Sequence, residues 1–389
     1  MRHRDGHHAN VTNEELFFDL AYAFAVTQLS HLLLHHLTLG GALDVLTLWF
    51  PVWLGWQYTC WVTNWFDPAS PRIRLMLFAT LLIALVMASA IPQAFGERGL
   101  IFALAYAAMQ VGRSGWVLLQ LPRGHPLRAN YQRILGWGMF VACFWIAGGL
   151  AEPDQRRWLW GIGVVCEYVS PMLGFWLPGL GRSRTADWTI EGGHLAERCQ
   201  CFVIVALGEA LLASGGGFSE AEHWGGPMVG ALGVTFAATL GLWWLYFGTS
   251  ARDASERITH SDDPGAMGAR FHYIHALLVA GIIVTAVGSD LVIEAPMEHA
   301  GLVDILVLIA GPVLYLAGSA IYKALVYDRV RLSHLAGIVI LALVGWALAG
   351  QVRLLVGAVL TGLLLMVALW EYRSLRGAGG QRAQMREKS

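Results

Sequence analysis

Two stretches hold most of the side chains able to do chemistry. The first runs from Asn13 to His36 and sets Glu15, Asp19, Thr27, Gln28, His31 and His35 into an otherwise apolar segment. Glu15, Asp19, Thr27, His31 and His35 lie four residues, or a multiple of four, apart. Four residues are a little more than one helical turn, so these groups form a slowly winding polar stripe. From Glu15 to His31 the stripe climbs about 24 Å at 1.5 Å per residue, most of a bilayer's hydrocarbon thickness. A charged side chain near mid-bilayer costs about 2.5–3.5 kcal/mol on insertion scales, so it faces protein or water and is a functional candidate. Carboxylates and imidazoles placed there can bind a small ion or solute, relay protons, or act as acid and base.

The second stretch, HLAERCQCFVIVALGEALL, starts at His194. His194, Glu197 and Arg198 lie within one turn. Glu197 and Arg198 are neighbours in sequence and point in different directions. Arg198 suits a carboxylate on another helix, and Asp19 is its natural partner, so Arg198 and Asp19 are expected as a structural ion pair. Glu209 stands three turns above Glu197 on the same face. Thr27 and Glu209 are expected to meet across a pseudo-axis and are the preferred pathway residues. Further along, His272 and His275 precede Asp290 on one apolar segment. The pathway or substrate-binding set is therefore Asp19, Thr27, Gln28, His31, His194, Glu197, Glu209, His275 and Asp290. Glu15 is expected at the cytoplasmic interface. Imidazole and carboxylate can ligate transition metals, but apart from His31 with His35 no helix carries a ligand signature. The expectation is no metal site and no cofactor.

Such residues need elements to position them, and composition says which. The chain has 389 residues, 56% hydrophobic and 14% charged, with mean hydropathy +0.53. Soluble domains carry about 25% charged residues, so this is a polytopic membrane protein. A net charge of −1 gives no field to recruit nucleic acid. No signal peptide is evident, and the first helix would direct insertion itself. Cys60, Cys143, Cys166, Cys199 and Cys201 all fall inside apolar spans and form no disulfide framework.

Spans of about 20 apolar residues are expected near 16–37, 43–66, 73–93, 99–121, 132–150, 158–178, 194–214, 227–249, 270–292, 302–326, 333–350 and 353–372. The fold class is thus all-α, with about twelve transmembrane helices. Twenty of the 26 Lys and Arg fall on the side holding both termini and four on the other, while Arg113 and Arg198 lie within spans. That asymmetry places both termini in the cytoplasm. The two halves also resemble each other. Glu15 sets against Glu197, Thr27 against Glu209, Gly136 and Trp145 against Gly337 and Trp346, and Glu167-Tyr168-x-Ser170 against Glu371-Tyr372-x-Ser374. The organisation expected is a first six-helix repeat over 1–190, a second over 191–372 and a basic cytoplasmic tail over 373–389. Six spans per repeat give both halves the same orientation, related by an axis along the membrane normal.

Trp49, Trp53, Trp56, Tyr58, Trp61 and Trp65 crowd the second span, and Trp243, Trp244, Tyr246 and Phe247 the eighth. Those near span ends suit an interfacial belt and the deeper ones packing. Pro51, Pro92, Pro171 and Pro312 lie within spans or at their ends and can kink or break them. Gly215 to Gly217 lack the Lys-Ser/Thr of a phosphate loop, and no Rossmann fingerprint, kinase set or nucleophile elbow is present.

ELFFDLAYAFAVTQLSHLL and HLAERCQCFVIVALGEALL resemble the bacterial low temperature requirement A family of polytopic membrane proteins. The stretch from Tyr273 to Leu291 fits the ninth span of that family, with Asp290 where relatives tend to carry Glu. The resemblance implies a role associated with growth in the cold in some bacteria, and no agreed biochemical activity. A weaker likeness links FFDLAYAFAVTQL to the first-helix motif of two-repeat lysosomal potassium channels, through Phe17, Asp19, Tyr22, Ala23, Ala25, Thr27 and Leu29. Phe18 and Gln28 depart from that motif and make its apolar constriction partly polar here.

These features point to an integral channel or transporter of the bacterial inner membrane, moving a small ion or solute between the repeats. The alternative is a membrane-embedded enzyme using Glu and His on a lipid-soluble substrate, so enzymatic activity stays open. A third reading is a structural or sensory membrane protein whose charges only hold the bundle together. The lipid bilayer and the transported species are the partners; self-association into a homo-oligomer is left open.

Overall fold

Length and apolarity make helices of nearly the whole chain. The computed structural model describes Arg2, 10–185, Trp188, 190–248, Asp253, 256–258 and 261–387, with side chains through Ser374. Arg4, Arg252 and the tail side chains of Arg376, Arg382, Arg386 and Lys388 lie outside the described residues. No strand occurs among the described residues. The α-helices are α1 Asn13–His35, α2 Leu39–Trp65, α3 Pro71–Ala90, α4 Gly99–Gln120, α5 Pro126–Leu150, α6 Pro153–Met172, α7 Gly192–Glu220, α8 Gly226–Phe247, α9 Pro264–Glu294, α10 Leu302–Tyr327, α11 Leu332–Ala347 and α12 Arg353–Glu387. Among the described residues, nine are long and apolar enough to cross a membrane: α1, α2, α3 with its 3₁₀ extension to Gln93, α5, α7, α8, α9, α10 and α12 over Arg353–Ser374. The chain is a membrane protein. Helix α11 is apolar but has only 16 residues. Helices α4 and α6 carry Gln110 and Arg113, and Arg156, Arg157 and Glu167, which dilute their apolarity.

Boundaries follow local chemistry. Helix α1 starts at Asn13, ahead of the expected 16, because Thr12 and Glu15 form a reciprocal capping box. Ser70 accepts from Ile73 N to cap α3, and prolines occupy the first turn of α3, α5 and α6, where no amide donor is needed. The sixth span was expected to reach 178 but stops at Met172. Gly174 and Phe175 turn the chain with φ of 62° and 51°.

The chain divides into two compact units. The first comprises Met1–Cys201 and Ile258–Arg270; the second comprises Phe202–Arg257 and Phe271–Ser389. In the first unit α4 packs chiefly on α5, and α1 on α3 and α2. Trp53, Trp56, Trp145, Trp160, Tyr22, Tyr106, Phe18 and Phe102 are fully buried there. Arg156 ties helix ends together, its guanidinium donating to Gly148, Ala94, Gly96, Gly149 and Ala151 carbonyls at 2.7–3.4 Å. In the second unit α8 packs on α12, and α10 on α11. Helices α9 and α10 cross at backbone contact. A Cβ on Gly281 would stand 2.5 Å from Tyr315 N, and one on Gly311 would stand 2.6 Å from Thr285 N. Side chains of Leu, Ile, Val and Phe remain exposed along the helices, as lipid-facing surfaces require.

Candidate functional site

The densest buried charge in the first unit is built from two i, i+4 pairs. Glu15 and Asp19 stand one turn apart on α1; His194 and Arg198 stand one turn apart in the opening residues of α7. His194 Nε2 lies 2.9 Å from Glu15 Oε1, and Arg198 Nη2 donates to Asp19 Oδ1 at 2.7 Å. The pairs match in the same order, so the two helix segments run in the same direction. Glu15, Asp19, His194 and Arg198 are each at most 1% exposed.

Helix α2 supplies the wall. Trp56 Nε1 donates to Asp19 Oδ1 at 2.8 Å, and Cys60 Sγ lies 3.4 Å from Arg198 Nη2. Asn64 closes the His194 end. Its Oδ1 accepts from Glu191 N, which orients the amide so that Nδ2 faces His194 Nδ1 at 3.1 Å. Arg2 Nη1 approaches His194 Nε2 at 2.8 Å and lies 3.8 Å from Glu15 Oε1. Glu191 caps α7 by accepting from Gly193 N and His194 N. Glu15 Oε2 accepts from Thr12 N, and Glu197 Oε2 from Val11 N at 3.1 Å.

Despite this network, the centre is not saturated. Asp19 Oδ2, Arg198 Nε and Arg198 Nη1 are buried without a hydrogen-bond partner. Thr27, half-buried, bonds back to Ala23 O at 3.1 Å. Gln28 is half-buried, and His31 and His35 are exposed. Glu15, expected at an aqueous interface, is fully buried.

The remaining expected residues belong to the second unit. His275 has both nitrogens committed, Nδ1 to Phe271 O and Nε2 to Tyr246 OH, each at 2.6 Å. Glu209 is buried, and Asp290, half-buried, lies within electrostatic reach of Glu209 and Glu294. Thr27 and Glu209 fall in different units. Among the described residues no group of three or more His, Cys, Asp or Glu is arranged to hold a metal ion.

Residues 10–369 match the model of the bacterial low temperature requirement A protein family, LtrA. The chain belongs to this family. It is 38% identical over 366 residues to an uncharacterized protein of Rhizobium meliloti (strain 1021), covering 93% of this chain and 89% of that one. No solved structure matches it.

This LtrA-family chain buries two further polar networks that sequence reasoning did not place in a site. In the first unit Arg113 donates to Gly55 O and Thr59 Oγ1, both at 3.0 Å, and to Gln110 Oε1. Gln110 Nε2 donates to Tyr106 OH at 2.9 Å, and Tyr106 OH donates to Glu167 Oε1 at 2.7 Å. In the second unit Lys323 Nζ donates to Leu245 O at 3.0 Å and to Glu371 Oε2. His334 Nε2 lies 3.0 Å from Ser319 Oγ. Two signals pointed there: Arg113 inside a span, and the shared Glu-Tyr-x-Ser of Glu167 and Glu371.

Proposed function

We propose that this LtrA-family chain is a channel or transporter for a small ion or solute, and that its cargo meets the charge cluster of Glu15, Asp19, His194 and Arg198. The observation that carries the reading is the unfilled bonding capacity at the centre of that cluster, on Asp19 Oδ2 and on Arg198 Nε and Nη1. A pair serving only to join two helices gains by closing such bonds, since each unsatisfied buried polar group costs roughly 1–3 kcal/mol. A small polar or charged species supplies what is missing. Asp19, His194, Glu197 and Arg198 bind it, with Thr27 and Gln28 further along α1 and Glu209 and Asp290 as carboxylates of the second half. Of the imidazoles, His31 is exposed on α1 and His275 is bonded to Tyr246 OH and Phe271 O.

The reading includes two six-helix halves of like orientation, 1–190 and 191–372, and a tail at 373–389, in a bacterial inner membrane with both termini in the cytoplasm. Three features support it. The matched pairs make the opening segments of α1 and α7 run in the same direction. The cation on the fourth helix of each half, Arg113 or Lys323, donates to a carbonyl of the second helix, Gly55 or Leu245. The same cation shares a network with a carboxylate of the sixth, Glu167 or Glu371.

The test is flux into sealed liposomes holding the purified full-length protein, across a panel of monovalent cations, inorganic anions and small organic acids. Flux of one class is expected, reduced at least roughly tenfold by Arg198→Gln, about 1.4 kcal/mol of lost interaction with the moving species. Absence of flux across the whole panel refutes the reading.

A further inference from the structure

We propose that Glu167 is a proton-binding site, reached through a water-sized cavity in the first unit and separate from the Asp19–Arg198 cluster. Three observations combine. Glu167 is 7% exposed, and its Oε2 has no hydrogen-bond partner. No Lys, Arg or His forms an ion pair with it among the described residues; the hydrogen bonds from Arg113 reach it through Gln110 and Tyr106. Beside it lies a cavity of about 20 Å³, lined by Glu167, Arg113, Gln110, Ser114, Ser170 and Tyr58. A buried polar void of roughly 10–15 Å³ or more can hold a water, and this one has the polar partners a water needs.

The hydrogen bonds of this network all point one way. Arg113 donates to Gln110, Gln110 to Tyr106, and Tyr106 to Glu167, so a permanent positive charge sits at one end and a carboxyl at the other. Arginine keeps its proton at any accessible pH, which leaves the carboxyl as the end that changes. Uptake forms an Oε2–H bond as one O–H bond of a hydronium in the cavity breaks, leaving water; release is the reverse. The titratable or charged groups facing this region are Tyr22 from α1, Tyr58 from α2, Tyr106 and Arg113 from α4, Tyr131 from α5, and Cys166 from α6.

The second unit provides the contrast. There Glu371 is bonded directly to Lys323, with His334 Nε2 3.5 Å from the same oxygen. Cation and carboxylate bond each other directly there, with Glu371 Oε1 left without a partner. In the first unit Gln110 and Tyr106 hold them apart, and the cavity opens where the carboxyl is left free. If the protein transports, which rests on the function proposed above, the proton held on Glu167 is a coupling ion.

The experiment is infrared difference spectroscopy of the full-length protein in liposomes, stepped between mildly acidic and mildly alkaline buffer, with the proton itself as the probe. A carboxyl C=O band is expected to appear on acidification, to vanish in Glu167→Gln and to persist in Glu371→Gln. Tyr106→Phe removes the donor to Oε1 and is expected to shift the midpoint of that band. A band that survives in Glu167→Gln, or no titrating carboxyl band in the wild type, overturns the proposal. If Glu167→Gln does not yield a folded sample, Tyr106→Phe decides, and an unmoved midpoint overturns it. Flux on the same liposomes separates the two claims. A silent flux assay with an intact Glu167 band refutes transport alone, and active flux without the band refutes the proton site alone.

Discussion

Replacing Asp19 by Leu should destabilise the protein far more than replacing Asp19 and Arg198 together. At 2.7 Å the gross attraction between two unit charges is about 6 kcal/mol at an effective dielectric constant of 20. Desolvation cancels most of that while the pair is intact. With Asp19 gone, Arg198 stays charged and buried, and Cys60 Sγ is the one polar contact left to its Nη2. Breaking such a pair costs about 3–5 kcal/mol, whereas exchanging both members for apolar residues is often neutral or better. The double variant Asp19→Leu/Arg198→Met still strands Trp56 Nε1, which now donates to Asp19, at a cost of roughly 1–3 kcal/mol. The double variant should therefore lie about 2 kcal/mol or more closer to wild type than Asp19→Leu does. Equilibrium unfolding of the purified protein in mixed detergent micelles measures the cycle. The transport reading adds that flux is lost in both variants, including the one that regains stability. Additive single and double costs would refute the energetic argument, and full flux in the stable double variant would refute the functional one.

Three further outcomes follow from packing and surface charge. Gly311→Ala puts a methyl 2.5 Å from Thr285 Oγ1 and 2.6 Å from Thr285 N, so α9 and α10 must part at a cost of about 1–3 kcal/mol; an unchanged Tm would contradict this. Arg156→Lys keeps the charge but offers three donors where five carbonyls now converge, so Tm should fall by an amount matching at least two lost charge-assisted bonds, about 3–6 kcal/mol. The neighbouring Arg157→Gln removes a partly exposed ion pair with Asp44 and should cost no more than about 1 kcal/mol, which a Tm within a few degrees of wild type would bear out.

Hydropathy made the helices legible because long apolar runs have few alternatives in a bilayer. It said less about which polar face meets which. Helix α1 shows why. Residues spaced by four advance about 400°, a drift of about 40° per step. Glu15 and Asp19 are therefore buried, Thr27 is half-buried, and His31 is exposed. A stripe that looks straight in sequence winds off the packed face before it reaches the far end of the helix. The type of Arg198 suggested a carboxylate on another helix, with Asp19 as the expected partner; periodicity alone did not show that Glu15 and His194 would pair beside them. The Glu167 network was harder still. Its cation sits on α4 and its carboxyl on α6, joined through an amide and a phenol that read in sequence as ordinary span residues. The fourth and tenth helices match poorly in sequence, since Arg113 and Lys323 differ in type and in neighbours. Their common role becomes visible only once each is seen donating to a carbonyl of a second helix.

The pairing of α1 with α7 also bears on how the polypeptide is made. Glu15 and Asp19 are each separated from their partner, His194 or Arg198, by 179 residues. During synthesis α1 emerges with two carboxylates and without the imidazole and guanidinium that later answer them. Until about half the polypeptide has been translated, that helix is an unstable tenant of the bilayer and depends on the insertion machinery or on protonation to stay put. A nascent chain arrested before α7 carries those carboxylates unanswered, and one arrested after Arg198 has entered holds both partners.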